Sequence, residues 1–159
     1  MKKHSSKATV ILTMMLTTIV AVSSFANAWA GGELVAFPTD YPEGVLYTTV
    51  YRGNIKEDIY TDRKSIEAVK AGQPIPSGTV ITLVDYRDGK LYRYVVMEKR
   101  SGWGTQYPED IRNGEWEYQA FNADGSVNDQ ENLIRCFRCH KSEAGTDYLF
   151  TFEQLKSTQ

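Results

Sequence analysis

Cys136-Phe137-Arg138-Cys139-His140 constrains this chain more than any other stretch of its 159 residues. The two cysteines are the only ones present, and one of only two histidines follows them at once. The C-x-x-C-H spacing is that of covalent haem c attachment. Two thiols on one helical turn can reach the two vinyl groups of one haem, and the next imidazole then sits at the iron as the proximal axial ligand. Cys136 and Cys139 are therefore the expected covalent haem attachment points, and His140 the expected axial iron ligand. A redox disulfide would call for a thioredoxin-like βαβ setting, which the chain lacks. A structural zinc site needs four ligands, and residues 31–159 hold only three cysteines and histidines. Two buried structural cysteines would leave the adjacent histidine unexplained. The expectation is one covalently attached haem c near the C-terminal end.

The first thirty residues read as a removable segment. Lys2, Lys3 and Lys7 precede an apolar run from Ala8 to Val22, and no acid occurs before Glu33. Two small-residue patterns follow, Ala26-Asn27-Ala28 and Ala28-Trp29-Ala30. A basic start, a short apolar run and an Ala-x-Ala site make a secretory signal peptide. The run is shorter than the ~20 residues a spanning helix needs. The expected organisation is a signal peptide over 1–30 and a single haem c domain over 31–159, exported to the periplasm, with no membrane span after cleavage. An oxidising compartment of that kind agrees with the motif.

Composition narrows the partners. The chain is 42% hydrophobic and 24% charged, as soluble globular domains are. Its formal charge of −2 becomes −5 once the three leader lysines are removed. No basic excess exists to neutralise a phosphate backbone, so nucleic acid is excluded as a partner.

Local patterns predict a mainly antiparallel β domain. Gly31 to Pro42 reads as an irregular arm. Val45–Tyr51, rich in Val, Thr and Tyr, reads as a strand, and Ile59–Tyr60 as a short extended piece. Asp62 is placed to cap a helix over Arg63–Ala71 that stops at Gly72. Thr79–Asp85 and Leu91–Lys99 flank the turn signal Arg87-Asp88-Gly89 and form a hairpin. Arg100 to Gly114 reads as a long functional or capping loop. Glu115–Phe121 alternates, with Trp116, Tyr118 and Ala120 against Glu115, Glu117 and Gln119, the pattern of a half-buried strand. Asn128 to Cys139 reads as one short helix, and Tyr148–Phe152 as an apolar packing segment. The fold class is α+β, a mainly antiparallel β sheet with a few short helices and the haem c motif at its C-terminal end.

The residue inventory bears on the iron's second side. His140 is the one histidine left after cleavage, so bis-histidine ligation within one chain is impossible. Met97 is the one methionine left, and it sits inside a predicted strand, where a methionine is more often a core filler. A five-coordinate haem is expected, and an open position suits small-ligand binding or chemistry. The hairpin and the Trp103-bearing loop are the candidates to cover it. Glu98, Arg100 and Tyr94 are the polar groups there, with Glu98 a candidate distal base.

The chain resembles the cytochrome P-460 family and its relative cytochrome c′-beta. The resemblance rests on Tyr41-Pro42-Glu43-Gly44, on Ile75-Pro76-Ser77-Gly78-Thr79-Val80, and on Glu115-Trp116-Glu117-Tyr118. Its strongest part is Cys136-Phe137-Arg138-Cys139-His140-Lys141 followed by Thr146-Asp147-Tyr148-Leu149-Phe150-Thr151. It implies a largely antiparallel β fold, a homodimer and five-coordinate haem. Some members oxidise hydroxylamine through a haem carrying a lysine cross-link. Others lack the link, have an apolar distal pocket and bind nitric oxide or carbon monoxide. The cross-linking lysine carries over to Leu83, unless Lys70, Lys90 or Lys99 shifts into register, and a leucine there implies the gas-binding branch.

The expected function is thus a periplasmic monohaem c-type cytochrome binding nitric oxide or a similar small ligand, with a periplasmic redox partner. Two alternatives stand beside it. One is an enzyme oxidising hydroxylamine or another nitrogenous compound through a lysine–haem cross-link, with Glu98 taking up protons. The other is an electron carrier with Met97 as the distal ligand.

Overall fold

The computed structural model describes residues 34–159, so the predicted signal segment lies outside the described residues. Five strands follow one another as an antiparallel meander: β1 (Val45–Arg52), β2 (Ile55–Thr61), β3 (Val80–Arg87), β4 (Lys90–Lys99) and β5 (Trp116–Asn122). Helix α1 (Arg63–Lys70) sits between β2 and β3, while α2 (Ile134–His140) and α3 (Phe152–Ser157) follow the sheet. The α+β class with an antiparallel sheet and short helices is the one the sequence predicts.

Turn chemistry explains the meander. Gly53 has φ 60° and opens the two-residue turn of the first hairpin. Asp88 and Gly89 both have positive φ, the conformation whose twist matches two-residue hairpins. The two turns lie side by side, where Asn54 Nδ2 donates to Asp88 Oδ1 at 2.9 Å. Asp62 caps α1 by accepting from the Ser65 N–H at 2.8 Å.

Three expectations change. The short piece at Ile59–Tyr60 is the end of a seven-residue strand, because the charged run Lys56-Glu57-Asp58 belongs to β2 and is paired. Glu57 meets Arg52, and Asp58 meets Lys56 and the Thr49 hydroxyl. Strand β5 is not half-buried: Trp116 through Phe121 are all buried, Glu117 and Gln119 among them. Helix α2 begins at Ile134 rather than Asn128. The Asn128 and Asn132 side chains accept the backbone N–H groups of Gln130 and Ile134, and such local bonds compete with helix formation.

The two sheet faces are built differently. One is closed by Val35, Phe37 and Tyr41 of the N-terminal arm, which pack with Tyr94 and Phe121. The other carries a larger cluster that includes Ile66, Met97, Trp116, Tyr118, Phe137 and Leu155 and takes in all three helices. The loop between β4 and β5 wraps the β5 edge. Its Trp103 joins the first cluster, while Tyr107 and Ile111 join the second. Gly104 permits that wrap, since a Cβ there would lie 1.8 Å from the Gly114 carbonyl oxygen.

Candidate functional site

Helix α2 brings Cys136, Cys139 and His140 to one short segment, with both thiols free. Phe137 anchors the segment. It is fully buried, with its ring 4.6 Å from that of Tyr107 and 4.7 Å from that of Tyr118. Asn113, also fully buried, donates from Nδ2 to the Phe137 carbonyl at 2.9 Å and to the Tyr118 hydroxyl at 3.0 Å. Lys141 donates to the carbonyls of Glu109 and Arg112. The long loop is therefore bound to α2 from both ends of the motif.

His140 is held by its surroundings. Its Nδ1 lies 2.6 Å from the Tyr148 carbonyl oxygen, and a carbonyl there selects the tautomer with the proton on Nδ1. The Nε2 lone pair is then bare. The ring packs between Tyr118 and Phe150, each 5.1 Å away centroid to centroid. Burial holds the imidazole below its usual pKa, favouring the neutral form a ligand must have.

The Tyr148 carbonyl is aimed by unusual backbone. Asp147 and Tyr148 both have positive φ, at 53° and 63°. The Asp147 carbonyl accepts from Trp116 Nε1 at 2.9 Å, and its carboxylate pairs with Lys99 Nζ at 2.5 Å. Lys99 also donates to the Ile75 carbonyl. Strand side chains thus fix a two-residue kink whose second carbonyl orients His140.

Cys136 is half-buried and Cys139 exposed. Burial pushes the Cys136 thiol up to about 11, so it is a thiol at neutral pH.

The sheet face beneath α2 has three rows, because directly paired residues project to the same side. Ile81, Met97 and Tyr118 make the first. Ile59, Leu83, Val95 and Ala120 make the second. Glu57, Asp85, Arg93 and Asn122 make the third. Leu83 and Val95 are only half-buried, so apolar surface stays open between core and charge. In the third row Asp85 Oδ2 accepts from Arg87 and Arg93, and Arg93 also pairs with Glu131. Asp85 is 1% exposed, and its Oδ1 has no hydrogen-bond partner. Burial raises the pKa of Glu57 against the lowering effect of Arg52, with Asp85 adding to the rise.

Several sequence candidates lie elsewhere. Glu98 pairs with Val80 and Glu117, one residue out of step with the Met97–Tyr118 pair, so it projects to the opposite face and meets Arg100 there. Tyr94 and Trp103 also belong to that opposite face. Met97 is 6% exposed within the core cluster. Of the lysines, Lys99 is tied to Asp147, Lys70 donates to the Thr158 carbonyl, and Lys90 is exposed beside the hairpin turn. Leu83 is the candidate that does share the face of Tyr118. The Tyr148 carbonyl, Asn113 and the third row were not legible as site parts, since each acts through folded proximity alone.

The donor set fits a c-type haem: two free thiols three residues apart, one neutral imidazole with Nε2 bare, and half-open apolar surface at Leu83, Val95 and Phe150. Among the described residues no group of three or more His, Cys, Asp or Glu side chains is arranged to hold a bare metal ion. Residues 38–151 match the protein family described as cytochrome P460. No curated protein matches the chain.

Proposed function

The chain belongs to the cytochrome P460 family, and from that premise we propose that it is an exported monohaem c-type cytochrome that binds nitric oxide or a similar small neutral ligand. Cys136 and Cys139 would carry the haem as thioethers, and His140 would ligate it through Nε2. The observation that carries this reading is the 2.6 Å bond from His140 Nδ1 to the Tyr148 carbonyl, which leaves the ligating nitrogen free beside both thiols. When bound, haem c would supply an iron able to take up a small neutral ligand. The chain's own part is to hold the imidazole neutral, fix its plane between Tyr118 and Phe150, and present apolar surface at Leu83 and Val95. Apolar surface favours neutral gases over water and ions. Export rests on the leader pattern over 1–30.

A second reading is supported by the charged third row. Oxidation of a nitrogenous substrate such as hydroxylamine releases protons, and a positioned carboxylate takes them up. Asp85, with its free Oδ1, and Glu57 stand on the face of Tyr118, whereas Glu98 does not. Leucine at position 83 and the structural ties of Lys99 argue against the lysine cross-link of that reading.

Expression with haem c maturation tests both. The expected result is a mass showing one haem and two thioether bonds, cleavage within residues 26–31, a high-spin resting spectrum and ready nitrosylation. Cys136→Ser together with Cys139→Ser should lose covalent haem. A low-spin six-coordinate resting spectrum would overturn the open-site reading. A further lysine–porphyrin bond with turnover of hydroxylamine would replace it with the enzyme.

A further inference from the structure

A cleft of about 480 Å3 lies where the end of β4 meets α1, α3 and the segment that follows His140. Its volume is in the range of small-molecule sites. Val69, Ile75 and Phe152 give it an apolar wall, while Lys99, Lys156 and Asp147 are its charged lining residues. Two cations against one carboxylate leave one positive charge unmatched. The cleft opens on the same sheet face as α2, yet it is separate from the open surface at Leu83. Lys99 pairs with Trp116, one row beyond Met97 and Tyr118, so the sealed core stands between the two.

The two lysines are held differently. The Lys99 side chain is only 15% exposed, and its ammonium donates to Asp147 Oδ2 and to the Ile75 carbonyl. An ammonium carries three protons, so one is left for a ligand. Lys156 stands exposed in the last turn of α3, and among the described residues its ammonium meets no acceptor. A partly buried ammonium with a spare proton, a second unpaired ammonium and an apolar wall together complement an anionic head on a hydrocarbon body.

We propose that this cleft binds a small organic monoanion, a monocarboxylate with its head on Lys99 and Lys156 and its body on Val69, Ile75 and Phe152. Lys99 also ties the cleft to the axial imidazole. A bound carboxylate competes with Asp147 for the Lys99 charge. Asp147 begins the two-residue kink whose Tyr148 carbonyl bonds His140 Nδ1. Occupancy of the cleft is therefore felt at His140, and the coupling runs both ways. That link rests on the haem reading, whereas the anion site does not.

Benzoate is the probe, titrated by calorimetry into the haem-loaded full chain. Benzyl alcohol is its neutral counterpart, and inorganic phosphate is an anion without an apolar body. Benzoate should bind at one site per chain and shift the Soret band with the same midpoint. The other two should bind at least tenfold more weakly. Lys156→Glu should weaken benzoate binding at least tenfold. Lys64→Glu, an equal charge change at an exposed position of α1 outside the cleft, should leave it unchanged. Absence of benzoate binding overturns the proposal. So does benzyl alcohol or phosphate binding as tightly as benzoate. An affinity indifferent to Lys156→Glu also overturns it, since the anion then sits at the iron or elsewhere. Calorimetric binding with an unmoved Soret band overturns the link to His140. The spectrum before titration reports haem loading, so a failure of the haem reading is seen apart from a failure of the cleft.

Discussion

The two faces of this sheet solve the same burial problem with different chemistry. On the face under the N-terminal arm, Phe37 meets Tyr41, Tyr94 and Phe121 edge to face, with centroids 4.9 to 6.4 Å apart. Such ring pairs contribute beyond the area they bury. The face under the helices is graded instead. It runs from a sealed core at Met97 and Tyr118, through half-open Leu83 and Val95, to the charged row of Glu57, Asp85 and Arg93. Both faces bury charge: Asp58 and Glu98 of the aromatic face are paired by Lys56 and Arg100. What sets the helix face apart is its half-open apolar surface and the buried Asp85, whose Oδ1 has no hydrogen-bond partner, and both cost stability.

The largest effect is expected where stability and site coincide. Phe137 is fully buried and holds α2 against Tyr107 and Tyr118. Phe137→Ala should cost about 3–5 kcal/mol in urea unfolding. It should also broaden the His140 environment, seen in the haem-loaded protein as a mixture of ligation states by magnetic resonance of the iron. A destabilised variant with one unchanged signal would mean that α2 is positioned by Asn113 and Lys141 without Phe137, and the two faces would be less distinct than drawn.

The opposite face gives the control. Phe37 is half-buried and packs its ring against those of Tyr94 and Phe121. Phe37→Ala should lower unfolding stability by about 2 kcal/mol, the order expected for partial exposure of such a side chain. Its absorption spectrum and nitric oxide affinity should stay those of the wild type. A shift in ligand affinity from this remote change would show that the faces are coupled through the strands.

The helix cap and the hairpin were easier to read than the site, while Tyr94 and Trp103, expected over the iron's open side, belong to the aromatic face. Asp62, Asp88 and Gly89 act locally, so cap and turn were legible at their own positions. Strand β2 was shortened because Glu57 and Asp58 look like solvent residues until Arg52, Lys56 and Thr49 are brought alongside. His140 was legible from its neighbours in the motif, but its orientation was not. That depends on a backbone carbonyl at Tyr148, and any residue has one. Glu98 was misplaced for a simpler reason. It follows Met97 directly, and strand parity sends neighbours to opposite faces. Setting its parity against Met97 and Tyr118 required knowing which residues pair across strands.

The smallest expected effect concerns the charged row and depends on pH. Burial and the neighbouring Asp85 raise the Glu57 pKa above its ordinary value of 4.5. The folded chain then binds this proton more tightly than the unfolded chain does. Glu57 therefore contributes stability that is present below pH 4.5 and lost as pH rises through the folded pKa. Glu57→Gln removes that titration. Its stability relative to the wild type should climb as pH rises from 4 to 7, measured by urea unfolding at matched ionic strength. A constant offset across that range would mean that Arg52 compensates the buried carboxylate fully. The charged row would then be as settled as the aromatic face, and the contrast between the two would narrow to the half-open surface at Leu83 and Val95.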